Sequence, residues 1–216
     1  MQHMIFDLDG TIIDSKKEIL KTYQIVFERI PPKVPPKTDE LNYGMNINDL
    51  LRSVYGDEDI MPAKKMFASI YDTSDYEETD LYEGVYETLA FLKEQGHKLY
   101  IATNKRYTPT LRILEAKHIM QFFSEIVGYE MTPGVAMTKR EMVAELKRLG
   151  SFTEGFMVGD SVGDILAGKD EHLITIAVKY GYESESALAE KKPDHLIDRF
   201  HNLSTFVQIR NDDQSI

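Results

Sequence analysis

Apolar positions along the chain fall into short runs and helical stripes that alternate. Met4-Ile5-Phe6 is a short apolar run that stops at Asp7-Leu8-Asp9-Gly10-Thr11, the pattern of a buried strand ending in a loop. Ile19, Leu20, Tyr23, Val26 and Phe27 follow at helical spacing with one apolar face. Pro31, Pro32, Pro35 and Pro36 end that helix, because proline removes a backbone donor and clashes with the preceding turn. Residues 38 to about 78 carry helix-like patterns rich in Asp, Glu and Met, without a convincing strand. They read as a helical insert.

From Leu81 the pattern changes to helix and strand in turn. Val85, Leu89 and Leu92 mark a helix face that Gly96 is placed to cap, and Lys98 to Ala102 is the next strand, ending at Thr103-Asn104-Lys105. Thr108-Pro109 has the form of a cap residue followed by a first-turn proline. Ser124 to Val127 is a strand. Thr138 and Glu141 form a capping box for a helix through Met142, Val143, Leu146 and Leu149, with Gly150 after it. Gly155 to Val158 is a strand ending at Gly159-Asp160-Ser161-Val162-Gly163-Asp164, and Ile174 to Val178 and His195 to Ile197 are two more. Alternating units of this length predict an α/β fold, a parallel sheet with helices on both faces. In such sheets ligands sit beyond the carboxyl ends of the strands, and three of these strands end in polar or charged clusters.

Those clusters carry the chemistry. In Asp7-x-Asp9-Gly10-Thr11, Asp7 can attack phosphorus and form an aspartyl-phosphate. Asp9 can protonate the leaving alkoxide and later take the proton of the attacking water, which requires it to hold a proton at the first step. Alone, the string also fits an Asp/Gly turn with solvated carboxylates. Thr103 and Asn104, with backbone N–H groups at a strand end, can hold phosphate oxygens, and alone read as a cap or turn. Lys139 sits at a helix N-terminus, where a cation opposes the helix dipole unless an anion binds there. Lys105, Arg106 and Arg140 compete for the same role. Asp160 can ligate a hard cation, with Asp164 one turn later in support. The four clusters stand in order at separate strand ends, which coincidence explains poorly.

Bulk properties narrow the partners. The 216 residues carry 36 acidic and 25 basic side chains, a net charge of −11, which sets an overall field against long polyanions such as nucleic acid. A small phosphorylated metabolite can still bind where a few cations converge. No apolar run approaches the ~18 residues of a membrane span. The start of the chain runs directly into a strand, leaving no room for a signal peptide. The absence of cysteine excludes disulfides and thiolate metal sites and fits a reducing cytoplasm. The expectation is a soluble cytoplasmic protein. His97, His118, His172, His195 and His201 lie outside the clusters and read as surface or packing residues, and the polar tail from Asn211 reads as disordered.

Phe6-Asp7-Leu8-Asp9-Gly10-Thr11 resembles motif I of the haloacid dehalogenase (HAD-like) superfamily, and within it the phosphoglycolate-phosphatase-like group. Asp7 matches the nucleophile and Asp9 the acid/base. Ala102-Thr103-Asn104-Lys105 is similar to motif II, Lys139 to the motif III lysine, and Gly159-Asp160-x-x-x-Asp164 to motif IV. The resemblance covers the chain apart from the insert. It implies a Rossmann-like core formed by 1–14 and 80–216, and a helical cap over 15–79 that closes on the active site, with hinges near Asp14 and Asp80. It also implies Mg²⁺, held by Asp7, the Asp9 carbonyl, Asp160, a phosphate oxygen and waters. The second aspartate argues against the dehalogenase branch, which lacks it.

Two segments depart from the pattern. Met137-Thr138-Lys139-Arg140-Glu141 lacks a Lys-Pro pair, and Lys179-Tyr180-Gly181-Tyr182-Glu183 has Glu where a Gly-Tyr-Gly loop would have its second glycine. Asn42-Tyr43-Gly44-Met45-Asn46 yields no substrate, its Met and Tyr reading as core of the insert. The leading expectation is a phosphatase for a small phosphate ester. The alternatives are a phosphomutase of the same fold, disfavoured by Gly159 where many mutases are acidic, and a non-catalytic phospho-acceptor module. Oligomeric state is not readable from these patterns.

Overall fold

Met4, Ile5 and Phe6 are fully buried, so the apolar run that opens the chain forms an interior strand, β1 (His3–Phe6). The computed structural model describes residues 1–32, 47–131 and 134–206. After β1 come β2 (Ile13–Asp14), α1 (Lys16–Arg29), α2 (Ile47–Tyr71), β3 (Asp80–Leu81), α3 (Val85–Glu94), β4 (Lys98–Thr103) and α4 (Tyr107–Ala116). The chain continues through β5 (Phe123–Gly128), α5 (Lys139–Gly150), β6 (Phe156–Gly159), α6 (Val162–Asp170), β7 (Ile174–Val178), α7 (Glu185–Glu190) and β8 (His195–Ile197). Two units emerge, one of Met1–Asp14 with Leu81–Ile216 and the other of Ser15–Asp80.

The first unit is built on a six-stranded sheet in the order β5-β4-β1-β6-β7-β8, with every neighbouring pair parallel. The expected α/β fold is therefore present. β1 lies between β4 and β6, with Phe6 in register with Ile101 on one side and Val158 on the other. The carboxyl ends of these three strands, each followed by one of the polar clusters, are thus side by side.

Side chains alternate across β1 because successive residues of a strand point to opposite faces. Ile5 joins Met142, Val143 and Leu146 of α5 and Ala167 of α6 in one cluster. Phe6 meets the ring of Phe200 at 5.7 Å and that of Phe123 at 6.4 Å on the other side. Burial on both faces explains why the strands read as continuous apolar runs. A separate two-stranded ribbon pairs β2 with β3.

The second unit is helical. α1 buries Ile19, Tyr23 and Val26, and the ring of Tyr23 lies 5.0 Å from that of Phe67, which stacks on Tyr71 at 5.3 Å. α2 is broken at Gly56, whose φ of 74° and ψ of 175° interrupt the helical path. Glu18 is buried and accepts hydrogen bonds from the Ser74 hydroxyl (2.5 Å) and the Glu78 N–H (3.1 Å). Those two bonds give its carboxylate the partners that burial demands.

Some local expectations shift. α4 starts at Tyr107 with Arg106 as its cap, so Thr108 and Pro109 lie inside the first turn. Proline is tolerated there because the first N–H groups of a helix have no intrahelical partner. Gly150, expected after the helix, is the last residue of α5, and Ser151 follows it in the left-handed conformation at φ 52°. A Cβ at Gly150 would sit 2.6 Å from the Tyr100 hydroxyl, so close packing accounts for the glycine. His97 is buried and its Nδ1 accepts from the Gln2 N–H at 3.0 Å, a packing role. α7 is too short to have shown a period in the sequence. Pro35, Pro36, Asn42 to Asn46 and the tail from Asn211 lie outside the described residues. Among the described residues no helix is long and apolar enough to cross a membrane.

Candidate active site

Asp7 follows directly on β1, and its backbone N–H donates to the Val158 carbonyl of β6 at 2.9 Å. This bond extends the strand pairing by one residue and fixes where the carboxylate projects. Gly10 then turns the chain with φ 84°, a left-handed conformation that costs glycine little. The turn also clears space, since a Cβ at Gly10 would lie 2.1 Å from Asp160 Oδ2.

Lys139, the first residue of α5, is buried although it is charged. Its Nζ donates to Asp7 Oδ1 at 2.6 Å and to the Ala102 carbonyl at 3.0 Å, and lies 3.0 Å from Asp164 Oδ1. One ammonium therefore ties together the ends of β1 and β4 and the first turn of α6. The rival cations are placed elsewhere. Arg140 is exposed and pairs with Glu171, while Lys105 Nζ pairs with Asp9 Oδ1 at 3.0 Å.

Asp160 follows β6 and is held from two sides. Thr11 Oγ1 donates to its Oδ1 at 3.2 Å, and the Tyr182 N–H donates to its Oδ2 at 2.7 Å. Asp164 forms a capping box with Ser161: its Oδ2 accepts from the Ser161 hydroxyl (2.6 Å) and the Ser161 N–H (3.1 Å). The same carboxylate thus caps α6 with one oxygen and faces Lys139 with the other. The helix start that Gly159-Asp160-x-x-x-Asp164 also matches is real, and it coexists with the acidic cluster.

Among the described residues, carboxylate oxygens of Asp7, Asp160 and Asp164 all lie within 4.8 Å of one another. Three buried acids face one buried lysine, and the electrostatics follow from that imbalance. Burial pushes the Asp7 carboxyl well above the usual carboxylate range, and Asp164 and Asp160 add to this against the opposing pull of Lys139. Burial and the charge of Asp164 push Asp160 up to about 7, although the Tyr182 N–H and Thr11 hydroxyl oppose the shift. Burial works against the Lys139 ammonium, but Asp164 and Asp7 outweigh it and its proton is held more firmly than on a free lysine.

This donor set fits a divalent cation. It consists of hard oxygens, it carries surplus negative charge in a buried place, and the glycines around Asp160 leave its carboxylate room. The cluster holds Asp7 and Asp160 as expected for a metal, with Asp164 beside them. The Asp9 side chain lies with Lys105. Thr103 is buried and its Oγ1 accepts from the Lys105 N–H at 3.1 Å, whereas Asn104 is exposed.

The sequence reading passed over several supports. Tyr180 donates its hydroxyl to the Thr11 carbonyl at 2.8 Å, and its ring packs 4.6 Å from that of Tyr82. Burial raises both phenols above their ordinary range, as do nearby acids including Asp160. Glu183 Oε2 accepts from the Val162 N–H at 2.6 Å and so covers the start of α6. The signal for these residues was the odd segment Lys179–Glu183, whose glycine and N–H groups serve Asp160.

An acidic, lysine-bridged cluster at the carboxyl ends of adjacent parallel strands defines a class of hydrolase. The chain belongs to that class: the profile of the haloacid dehalogenase-like hydrolase family matches residues 4–178. It is similar to the pyrophosphatase PpaX of Listeria monocytogenes, with 28% identity over 212 residues and 95% of each chain covered. It is also similar to a phosphoglycolate phosphatase of Pasteurella multocida, at 27% identity over 94% of this chain and 96% of the other. In fold it matches the crystal structure of a predicted phosphoglycolate phosphatase from Haemophilus somnus, with TM-score 0.84 and 24% identity over 96% of this chain and 98% of that one.

Proposed function

We propose that this hydrolase is a magnesium-dependent phosphatase that cleaves a small phosphate monoester through an aspartyl-phosphate on Asp7. The observation that carries the reading is Lys139 Nζ, 2.6 Å from Asp7 and 3.0 Å from Asp164 in a buried acidic cluster at the strand ends. The names of the relatives, a pyrophosphatase and a phosphoglycolate phosphatase, point the same way.

In the first step an Asp7 carboxylate oxygen forms a bond to phosphorus as the bridging P–O bond breaks. The electron pair stays with the departing oxygen, which takes the proton carried by Asp9. In the second step water attacks the phosphorus of the aspartyl-phosphate, and its proton passes to the Asp9 carboxylate. The bond to Asp7 breaks with its electron pair on Asp7, inorganic phosphate leaves, and Asp9 is again protonated. Lys139 offsets the charge of the nucleophile and of the phosphoryl oxygens. Thr103 and Asn104 contribute hydroxyl, amide and backbone N–H donors to those oxygens.

Asp7, Asp160 and the Asp9 carbonyl would hold Mg²⁺, with Asp164 in support. When bound, the ion supplies positive charge that lessens the repulsion between an anionic nucleophile and an anionic substrate. The helical residues 15–79 act as a cap that selects the substrate, and the core consists of 1–14 and 80–216. A cytoplasmic site of action goes with this reading.

Gly159 favours hydrolysis over the mutase alternative. A Cβ there would fall 2.3 Å from Asp164 Cγ, so an acidic side chain at that position has no room. The test is phosphate release from a panel of small esters with Mg²⁺ or EDTA, comparing wild type with Asp7→Asn. Metal-dependent release that vanishes in the folded variant is expected, and retained release would refute the role of Asp7. Transfer between hydroxyls of one sugar without net release would instead favour the mutase. A long-lived phosphoenzyme without turnover would favour the acceptor module.

A further inference from the structure

We infer that Lys105 selects substrates whose leaving group carries a second anionic charge, an assignment that rests on the phosphatase reading above. Asp9 gives its proton to the departing oxygen, so the space beside its carboxylate is where the leaving group stands. Lys105 Nζ is 3.0 Å from Asp9 Oδ1, and the two side chains are 8% and 18% exposed. Lys139, by contrast, is engaged by Asp7, Asp164 and the Ala102 carbonyl, and belongs to the phosphoryl group being transferred. The two lysines thus serve opposite ends of the bond that breaks.

The backbone that carries Lys105 is pinned. Its N–H donates to Thr103 Oγ1 at 3.1 Å, and its carbonyl accepts from the Tyr129 N–H at 3.1 Å. The loop therefore presents the ammonium from a fixed root, and a long side chain can reach from Asp9 to a neighbouring anion. A neutral alcohol offers that ammonium no charge. A carboxylate or a second phosphate close to the departing oxygen does, through a charge-assisted hydrogen bond. Such a group keeps its charge while the bridging P–O bond breaks and the departing oxygen takes the proton of Asp9. Lys105 then offsets its repulsion from the Asp9 carboxylate and from the phosphoryl oxygens. Esters of a hydroxy acid and inorganic pyrophosphate share this chemistry.

The experiment compares kcat/KM for phosphoglycolate, pyrophosphate and the neutral-leaving ethyl phosphate, with Mg²⁺, in wild type, Lys105→Met and Lys105→Arg. Wild type is expected to favour phosphoglycolate, pyrophosphate or both over ethyl phosphate by tenfold or more, and the two substrates with anionic leaving groups show which source the site takes. Lys105→Met should lower that preference by roughly 10- to 100-fold, mainly through KM, the scale of one lost hydrogen bond between charged groups. Lys105→Arg should keep the preference within a few-fold. A uniform loss across all three substrates would overturn the assignment, because Lys105 would then act only through Asp9. An unchanged preference would overturn it as well. Should Lys105→Met not fold, product inhibition of the wild type decides: glycolate is expected to inhibit at least tenfold better than ethylene glycol, and equal inhibition refutes the proposal. Failure of wild type to hydrolyse any ester would mark a failure of the phosphatase reading itself, and the role of Lys105 would fall with it.

Discussion

Gly181 lies against Asp160 so closely that a Cβ on it would fall 2.2 Å from the Asp160 Cβ, while the next residue, Tyr182, donates its N–H to Asp160 Oδ2 at 2.7 Å. The loop after β7 is therefore a mould for one carboxylate. Its glycine makes the space and its backbone supplies the hydrogen bond.

Gly181→Ala should displace Asp160 and weaken metal binding before it unfolds the protein. Overpacking of this kind costs about 1–3 kcal/mol, which thermal denaturation in EDTA would register. The concentration of Mg²⁺ needed for half-maximal activity should rise by about tenfold, the equivalent of ~1.4 kcal/mol. An unchanged Mg²⁺ requirement would show that the loop does not set the position of Asp160.

Charge at the same residue predicts a pH dependence. Asp160 titrates near 7 in the folded protein, against an ordinary value of 3.8. Between those values the folded state keeps a proton that the unfolded chain has released, so stability falls as pH rises. In EDTA, the Tm of wild type relative to Asp160→Asn should drop from pH 5.5 to pH 7.5 (about the upper half of that window) and change little beyond it. Saturating Mg²⁺ should abolish the slope, because metal ligation requires the ionised carboxylate. A relative Tm that rises with pH in EDTA would contradict the burial argument.

Lys139→Ala removes the cation that Asp7 and Asp164 share. Loss of one electrostatic stabiliser is expected to lower kcat by roughly 10²- to 10³-fold. The variant should also be less stable without metal, by about 3–5 kcal/mol for a broken buried pair, and Mg²⁺ should restore part of that loss. A negligible change in kcat would move the phosphoryl-binding role to Lys105.

Glu183 stands where a Gly-Tyr-Gly loop would have glycine, and its carboxylate covers the Val162 N–H. Glu183→Ala exposes that donor at the start of α6 and should cost ~1 kcal/mol, the usual scale of a lost N-terminal cap. The measurement is chemical denaturation, and no shift in midpoint would show that Ser161 and Asp164 suffice as the cap.

Much of this was legible in the sequence, for physical reasons. The strands are buried on both faces, so β1, β4, β6 and β7 show as unbroken apolar runs at the places they occupy. Capping boxes are local, and Thr138 with Glu141 marked the start of α5 correctly. What sequence could not supply was convergence. Nothing local distinguishes Lys139 from Lys105 or Arg140 as the partner of Asp7. That choice depends on sheet order, which places β4 and β6 on either side of β1. Gly150 was placed just after the helix, whereas it is its last residue, because a glycine near a helix end fits either position equally well. Its actual reason, the Tyr100 hydroxyl, comes from a residue 50 positions earlier. The contribution of Tyr180 to Glu183 was obscured because it is made largely by a glycine's missing side chain and by backbone N–H groups.

The sheet order also sets a timetable for synthesis. β1 leaves the ribosome well before its partners, which start at Lys98 and Phe156, and ends up in the middle of the sheet. A chain emerging at about 5–20 residues per second leaves both edges of this apolar strand unpaired for several seconds. During that interval residues 15–80, which form a unit of their own, can already assemble, while an open strand of this kind is a target for chaperones or for pairing with another chain. Asp7 is translated early in this fold, yet its surroundings are complete only after Tyr182 has been made, 175 residues later. Truncated or stalled chains would therefore carry Asp7 without the acids and the lysine that surround it.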